Sequence, residues 1–244
     1  MTAQGTMFNT NWLLPIVLGT TAGAVDVIIF LTLGGLFTAH ITGNIIILAA
    51  HYITGGFSQI GPVLSVPVFI AVLATVTLVS GKLERTGHFP RRVLLILQAV
   101  LLIGCLIFGA AFGPFANVDR PMAVFVGMLG VAAMATQNAL VRLALPGAPT
   151  TAVMTTNITQ LTIDLVTLAG GWGQAGEVAR ARRRSVMTFA SVIGFAVGCA
   201  AGAILEVRFG LWALALPVIL AALAIPLGEL WGNGQNSHAD STNG

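Results

Sequence analysis

Residues 34–44 read GGLFTAHITGN and residues 147–157 read GAPTTAVMTTN, two copies of one glycine-broken segment set 113 positions apart (34 against 147). Gly34/Gly147, Thr38/Thr151, Ala39/Ala152, Thr42/Thr155 and Asn44/Asn157 are identical, and Ile45/Ile158 and Leu48/Leu161 continue the match. Each copy interrupts a pattern that otherwise reads as membrane helix. A polar break at membrane depth is tolerated only where it is buried in protein or lines a cavity, so the duplication points to a site shared by the two copies.

Outward from these breaks, composition sets the class. Charged residues make up 8% of the chain and hydrophobic ones 56%, with a mean hydropathy of +0.93. These values exclude a soluble globular domain and predict an all-α polytopic membrane protein in contact with the lipid bilayer. The net charge of +3 comes almost wholly from arginines in two loops, which reads as membrane topology and not as nucleic-acid binding. Cys105 and Cys199 lie in apolar runs without CxxC or Cys/His spacing. They carry no disulfide or metal signal, and no cofactor is expected. The opening MTAQGTMFNTNW lacks the basic region of a secretory signal, so the first helix is expected to be a retained anchor.

The pattern gives eight helical runs: 12–33, 37–53, 62–80, 93–112, 122–141, 151–169, 186–205 and 211–231. In the first, Gly19, Gly23, Asp26 and Phe30 share one face, which turns Asp26 toward the bundle interior about 21 Å along the helix from Trp12. An acidic group at that depth is a functional candidate, the other reading being a carboxyl that only packs helices. The second run is short and reads as a re-entrant half-helix. It carries His40, Asn44 and His51 on one face and Thr38 and Thr42 on another, each Thr also being able simply to bond its own helix. In the second half Gln137 and Asn138 lie on the inner face of their run, and Arg142 stands beside the break as a counter-charge or a snorkelling surface residue. Asn157, Gln160 and Asp164 repeat the positions of Asn44, Ile47 and His51, with Thr155 matching Thr42. Gly194, Gly198 and Gly202 form a close-packing stripe, structural or a contact between copies in a homo-oligomer.

Eight full spans would put the Arg-rich loops 81–92 and 170–185 on opposite sides. The positive-inside rule is met instead if the pair flanking each break makes one net crossing. Six net crossings follow, three per half, with both termini cytoplasmic. An odd number per half makes the halves, 1–112 and 113–231, inverted repeats, followed by a polar tail, 232–244, expected to be unstructured.

Asp26 with Gly34, Gly35 and Phe37, then His40-Ile41-Thr42-Gly43-Asn44, Gln137-Asn138-Ala139 and Thr150-Thr151 through Thr155, resemble the YoaK family of bacterial inner-membrane proteins over essentially the whole chain. Thr156 departs from the pattern, standing where a glycine like Gly43 is expected. The resemblance implies a multi-pass protein of the bacterial inner membrane and supplies no reaction.

Three functional classes remain. The leading one is a secondary transporter of a small solute, with proton coupling through Asp26 and hydrogen bonds from Thr42, Asn44, Thr155 and Asn157 at the positive ends of the broken helices. A non-transporting scaffold or accessory protein, whose polar elements only lock the fold, is the alternative. An enzyme is not expected, since HExxH, GxSxG, paired catalytic carboxylates and a Cys/His metal set are all missing, although His40 and His51 on one helix leave a metal or proton-relay role open.

Overall fold

The computed structural model describes residues 12–54, 59–87, 89–171 and 174–240, and among them the chain is helical without strands. The elements are α1 (Leu13–Thr32), α2 (Ile41–Thr54), α3 (Ile60–Arg85), α4 (Pro90–Phe112), α5 (Pro121–Ala144), α6 (Met154–Gly170), α7 (Ala175–Phe209), a 3-10 turn (Gly210–Leu214) and α8 (Ala215–Asp240). Five stretches are long and apolar enough to cross a membrane: α1, α3, α4, α5 and the continuous segment Ala175–Trp231. Pro90 and Pro121 open α4 and α5 at first-turn positions, where proline loses no helical hydrogen bond.

α1 and α5 form the centre. Their apolar windows are 67% and 72% buried, against 17% for α3, whose large exposed side chains Val63, Ile70 and Leu78 face outward. α1 packs chiefly on α7 and also on α8. α5 packs on α3 and α4, α2 lies on α3, α6 lies on α7, and α4 meets α8.

The α1–α7 contact is backbone against backbone. A Cβ on Gly19 would lie 2.5 Å from the Ser191 carbonyl oxygen, and one on Gly23 would collide with that of Phe195. From the other side, Gly194 sits against the Ile16 carbonyl, Gly198 against Thr20 and Gly202 against Ala24. The numbers rise together on both helices, so α1 and α7 run parallel. The stripe Gly194, Gly198, Gly202, read from sequence as structural or as a contact between copies, is thus occupied within the chain by α1 and is not free for a second copy.

The two ends of the bundle differ in charge. At one end Gln59, just before α3, lies against Gly34, just after α1, and the Ile60 amide donates to Asp119 in the α4–α5 connection at 2.8 Å. At the other end Trp12 borders a cavity with Arg182 and Arg183, and Trp231 borders another with Pro146, Gly147 and Arg180. There too, Leu143 and Ala144 meet the α3–α4 connection, and Arg92 approaches Glu229 at 3.5 Å. Nine of the eleven Lys and Arg residues belong to this second end, all but Arg120 and Arg208.

Two predicted boundaries are corrected. Residues 170–185 are not one loop: α7 begins at Ala175, where the Gln174 amide donates to Glu177 at 3.1 Å in a capping arrangement, so Arg180 to Arg184 ride on helix. The polar tail, expected to be unstructured, continues α8 as far as Asp240, and residues 241–244 lie outside those described.

Candidate functional site

The first break begins where α1 stops. Gly34 (φ +65°) and Gly35 (φ +88°) adopt left-handed backbone that other residues rarely take, and the chain turns back along α1. It descends to Asp26, six residues before the last of α1 and therefore about 9 Å from its end. There the Asp26 Oδ1 accepts from the Thr38 amide (2.6 Å), the Ala39 amide (2.8 Å) and the Thr38 hydroxyl (3.0 Å). α2 starts two residues later, so the carboxylate meets the positive entrance of a helix that then climbs back toward the start of α3.

The other carboxylate oxygen, Oδ2, lies 2.6 Å from Nδ1 of His40. Asp26 is almost wholly buried, whereas the His40 side chain is 30% exposed. The imidazole stands edge-on to Phe195 of α7 at 5.3 Å, and its Nε2 has no protein partner among the described residues. An oxygen that receives three donors is fixed as an acceptor. Any proton exchanged at this carboxyl is therefore confined to the Oδ2–Nδ1 contact, with Nε2 as the way out.

Asn44 closes the break. Its Oδ1 accepts from the Phe37 amide (2.9 Å), and its Nδ2 donates to the Phe37 carbonyl (2.8 Å) and to Ser65 Oγ of α3 (2.8 Å). The second copy repeats this device. Asn157 Nδ2 donates to the carbonyl of Thr150, again seven residues back, at 2.6 Å, and Gly147 (φ +78°) holds the backbone that Gly34 holds in the first. In both copies the asparagine Nδ2 donates to a carbonyl of its own loop, and Asn44 alone also accepts through Oδ1 and reaches α3.

The remaining candidates fall into separate groups. Gln137 Nε2 donates to the Leu18 carbonyl (3.0 Å) and its Oε1 accepts from Gln98 (2.5 Å), forming a buried amide chain across α1, α5 and α4 in which Gln98 Oε1 has no partner among the described residues. Gln160 Nε2 donates to Asp164 (3.0 Å), whose buried carboxylate takes a two-pronged contact from Arg184, its Nε at 2.8 Å. Asn138 bonds back to Met134 of its own helix. Thr42, Thr155 and Arg142 are exposed, and Thr42 and Arg142 make no side-chain bond to any described residue.

The structure thus joins Asp26, His40 and Asn44 at one break and Gln160 with Asp164 near the other, but it does not merge the two into one cluster. Arg184 and Phe195 stand eleven residues apart on α7, about 16 Å. Among the described residues no three metal-ligating side chains converge. Sequence reasoning passed over Thr38 as an Asp26 ligand, Ser65, Gln98 and Arg184. Gln98 was visible as a lone amide in an apolar run, and the Gln174–Glu177 spacing signals the helix that aims Arg184. Nothing marks Ser65.

A family described as "Protein of unknown function (DUF1275)" matches residues 14–227. The chain belongs to this family. The match takes in both breaks, the Asp26–His40 pair and the Asp164–Arg184 pair. A curated relative, the UPF0700 transmembrane protein YoaK of Bacillus subtilis (strain 168), is 36% identical over 126 residues, 46% of this chain and 52% of its own length. The chain thus spans about half the length of the curated relative it matches. No solved structure matches significantly. With its apolar helices and a transmembrane relative, this DUF1275 member is a multi-pass membrane protein.

Proposed function

We propose that the chain is a secondary transporter of a small polar solute, built from two inverted halves, with the Asp26–His40 pair as its proton-exchanging group. The observation that carries the reading is that pair: a buried carboxylate 2.6 Å from a half-exposed imidazole, held at the break of a short helix inside a membrane bundle. Ionisable residues at such depth are costly, and in transporters they mark ion and proton paths near broken helices.

The packing supports the inverted halves. Exchanging α1 with α5, α2 with α6, α3 with α7 and α4 with α8 turns each principal contact into another: α1–α7 into α5–α3, α1–α8 into α5–α4, α2–α3 into α6–α7. Because α1 ends beside the start of α3, and α7 runs parallel to α1, each short helix returns to the end it left. The reading is then six net crossings with both termini at the arginine-rich end, which the positive-inside rule makes cytoplasmic in a bacterial inner membrane.

One observation favours the alternative, a non-transporting scaffold: Asn44 commits both ends of its amide to structural bonds and offers a solute little. Solute contacts are therefore assigned to the open side of His40, and no enzymatic step is assigned. Proteoliposomes carrying a trapped pH dye and challenged with a solute panel test the proposal. A solute that moves protons with it in wild type, and no longer does so in Asp26→Asn or His40→Gln proteins of unchanged melting temperature, is the expected result. Asn at position 26 keeps the acceptor for Thr38 and Ala39, so a loss there reports the charge and not the cap. Uptake indifferent to both substitutions and to the pH gradient would remove the coupling role.

A further inference from the structure

The N-terminal turns of α7 carry charge that the other described residues leave unpaired. Arg180, Arg183, Arg184 and Met187 follow the i, i+3, i+4, i+7 spacing of one helix face, and this face borders a cavity of about 380 Å³ closed by Gly147 and Trp231. Arg184 is committed to Asp164. The guanidinium groups of Arg180, Arg182 and Arg183 have no hydrogen bond or ion pair with any described residue. Around the helix lies a second cavity, of about 680 Å³, bordered by Trp12, Val178, Val186 and Met187, with Arg182 at its rim. Arg183 and Met187 border both cavities, so the basic pocket and the apolar groove adjoin across these two side chains.

Their level relative to the bilayer follows from α1. Gly19 meets Ser191 and Gly194 meets Ile16, so the parallel register sets Leu13 level with about Thr188, and Arg180 to Arg184 extend beyond the apolar start of α1 while Val186 and Met187 approach it. Trp12 stands at the boundary, where an indole suits the interface. From this geometry we infer that the groove is a binding site for an anionic phospholipid. The phosphate lies between Arg180 and Arg183, whose planar guanidinium forks match its oxygens, and one acyl chain passes Trp12 and Val186. A zwitterionic lipid brings its own ammonium against the same arginines and is disfavoured, and a free phosphate leaves the apolar half unfilled. The assignment stands apart from the transport reading and involves neither Asp26 nor His40.

Native mass spectrometry of the full-length, delipidated protein with equimolar phosphatidylglycerol and phosphatidylcholine tests it. Phosphatidylglycerol is expected to be retained in preference, and an Arg180→Gln/Arg183→Gln protein to lose that preference by about fivefold per arginine, roughly 25-fold together. An Arg91→Gln/Arg92→Gln protein, altered at the same end of the bundle, keeps it. Millimolar inorganic phosphate or glycerol 3-phosphate does not displace the bound lipid. The wild-type comparison needs no variant and decides on its own if the double variant fails to fold. Equal retention of the two lipids overturns the site. Displacement by inorganic phosphate makes it a free-anion site, and equal loss in the Arg91/Arg92 protein reduces it to diffuse surface charge. Either result overturns the lipid assignment.

Discussion

Substituting Asn44 by alanine removes three hydrogen bonds from a fully buried position, whereas the same change at Asn157 removes one to oxygen and a 3.7 Å contact to the Met154 sulfur. The two asparagines occupy equivalent places in the duplicated breaks, so the comparison separates hydrogen-bond loss from position. In Asn44→Ala the Phe37 amide and carbonyl lose their partner together. Ser65 suffers less, because its hydroxyl still donates to the Pro62 carbonyl at 2.7 Å. Each orphaned buried group costs about 1–3 kcal/mol, and since Phe37 is only half-buried the lower part of that range applies, about 2–4 kcal/mol in all. Asn157→Ala orphans the Thr150 carbonyl alone, about 1–2 kcal/mol. For a chain of this length these figures correspond to a fall in Tm of roughly 5–15 °C and roughly 2–8 °C. The protein carries its own reporters: Cys105 is buried and Cys199 half-buried, so a thiol-reactive dye in detergent follows unfolding without labels. Asn44→Ala melting at the wild-type temperature, or no lower than Asn157→Ala, would refute the idea that these amides lock the breaks.

Other predictions follow from the same contacts. Arg184→Gln is expected to lower Tm more than Asp164→Asn, because the first leaves a buried carboxylate with Gln160 as its one side-chain donor among the described residues, a loss of about 2 kcal/mol, while the second leaves a half-exposed arginine that can turn to water; equal melts would contradict this. Gly198→Leu, whose side chain would enter the Thr20 backbone, should prevent recovery of a monodisperse protein on size exclusion, and Gly176→Leu, with open space around it, should not. In a protein lacking Cys105 and Cys199, reporter cysteines at Asn117 and Gly176 should label from opposite sides of the membrane, and one at Glu84 from the same side as Gly176. Labelling of Asn117 and Gly176 from one side would dismiss the inverted arrangement.

The breaks were legible because their chemistry is local. A glycine in an apolar run and an asparagine ten residues after it both announce backbone that cannot be helix, and the 113-residue offset made each copy a check on the other. Asp26 was legible as inward-facing because it shares a stripe with Gly19 and Gly23, and that stripe does lie in the interior. Its partners were not legible, because Thr38 and His40 reach it only through the reversal that two positive-φ glycines impose. Periodicity cannot say which of four neighbouring arginines points inward. Arg184 does so because α7 starts at Ala175, and reading 170–185 as loop hid that register. Thr42 and Thr155 were chosen for identity between the copies, yet both face outward. Identity there accompanies the break without taking part in it.

The parallel seam of α1 against α7 has a consequence for biosynthesis. Thr20 and Gly198 meet across 178 steps of chain (20 to 198), a length that at usual elongation rates takes roughly 10–35 s to emerge. During that interval the first helix has entered the membrane with its glycine stripe uncovered and its final partner not yet made. It must be shielded by lipid or by the insertion machinery until α7 arrives. Ribosome stalling or truncation before α7 should therefore yield a fragment cleared by membrane proteases, while two separately expressed halves, cut in the 113–120 connection, should each be short-lived alone and persist when made together.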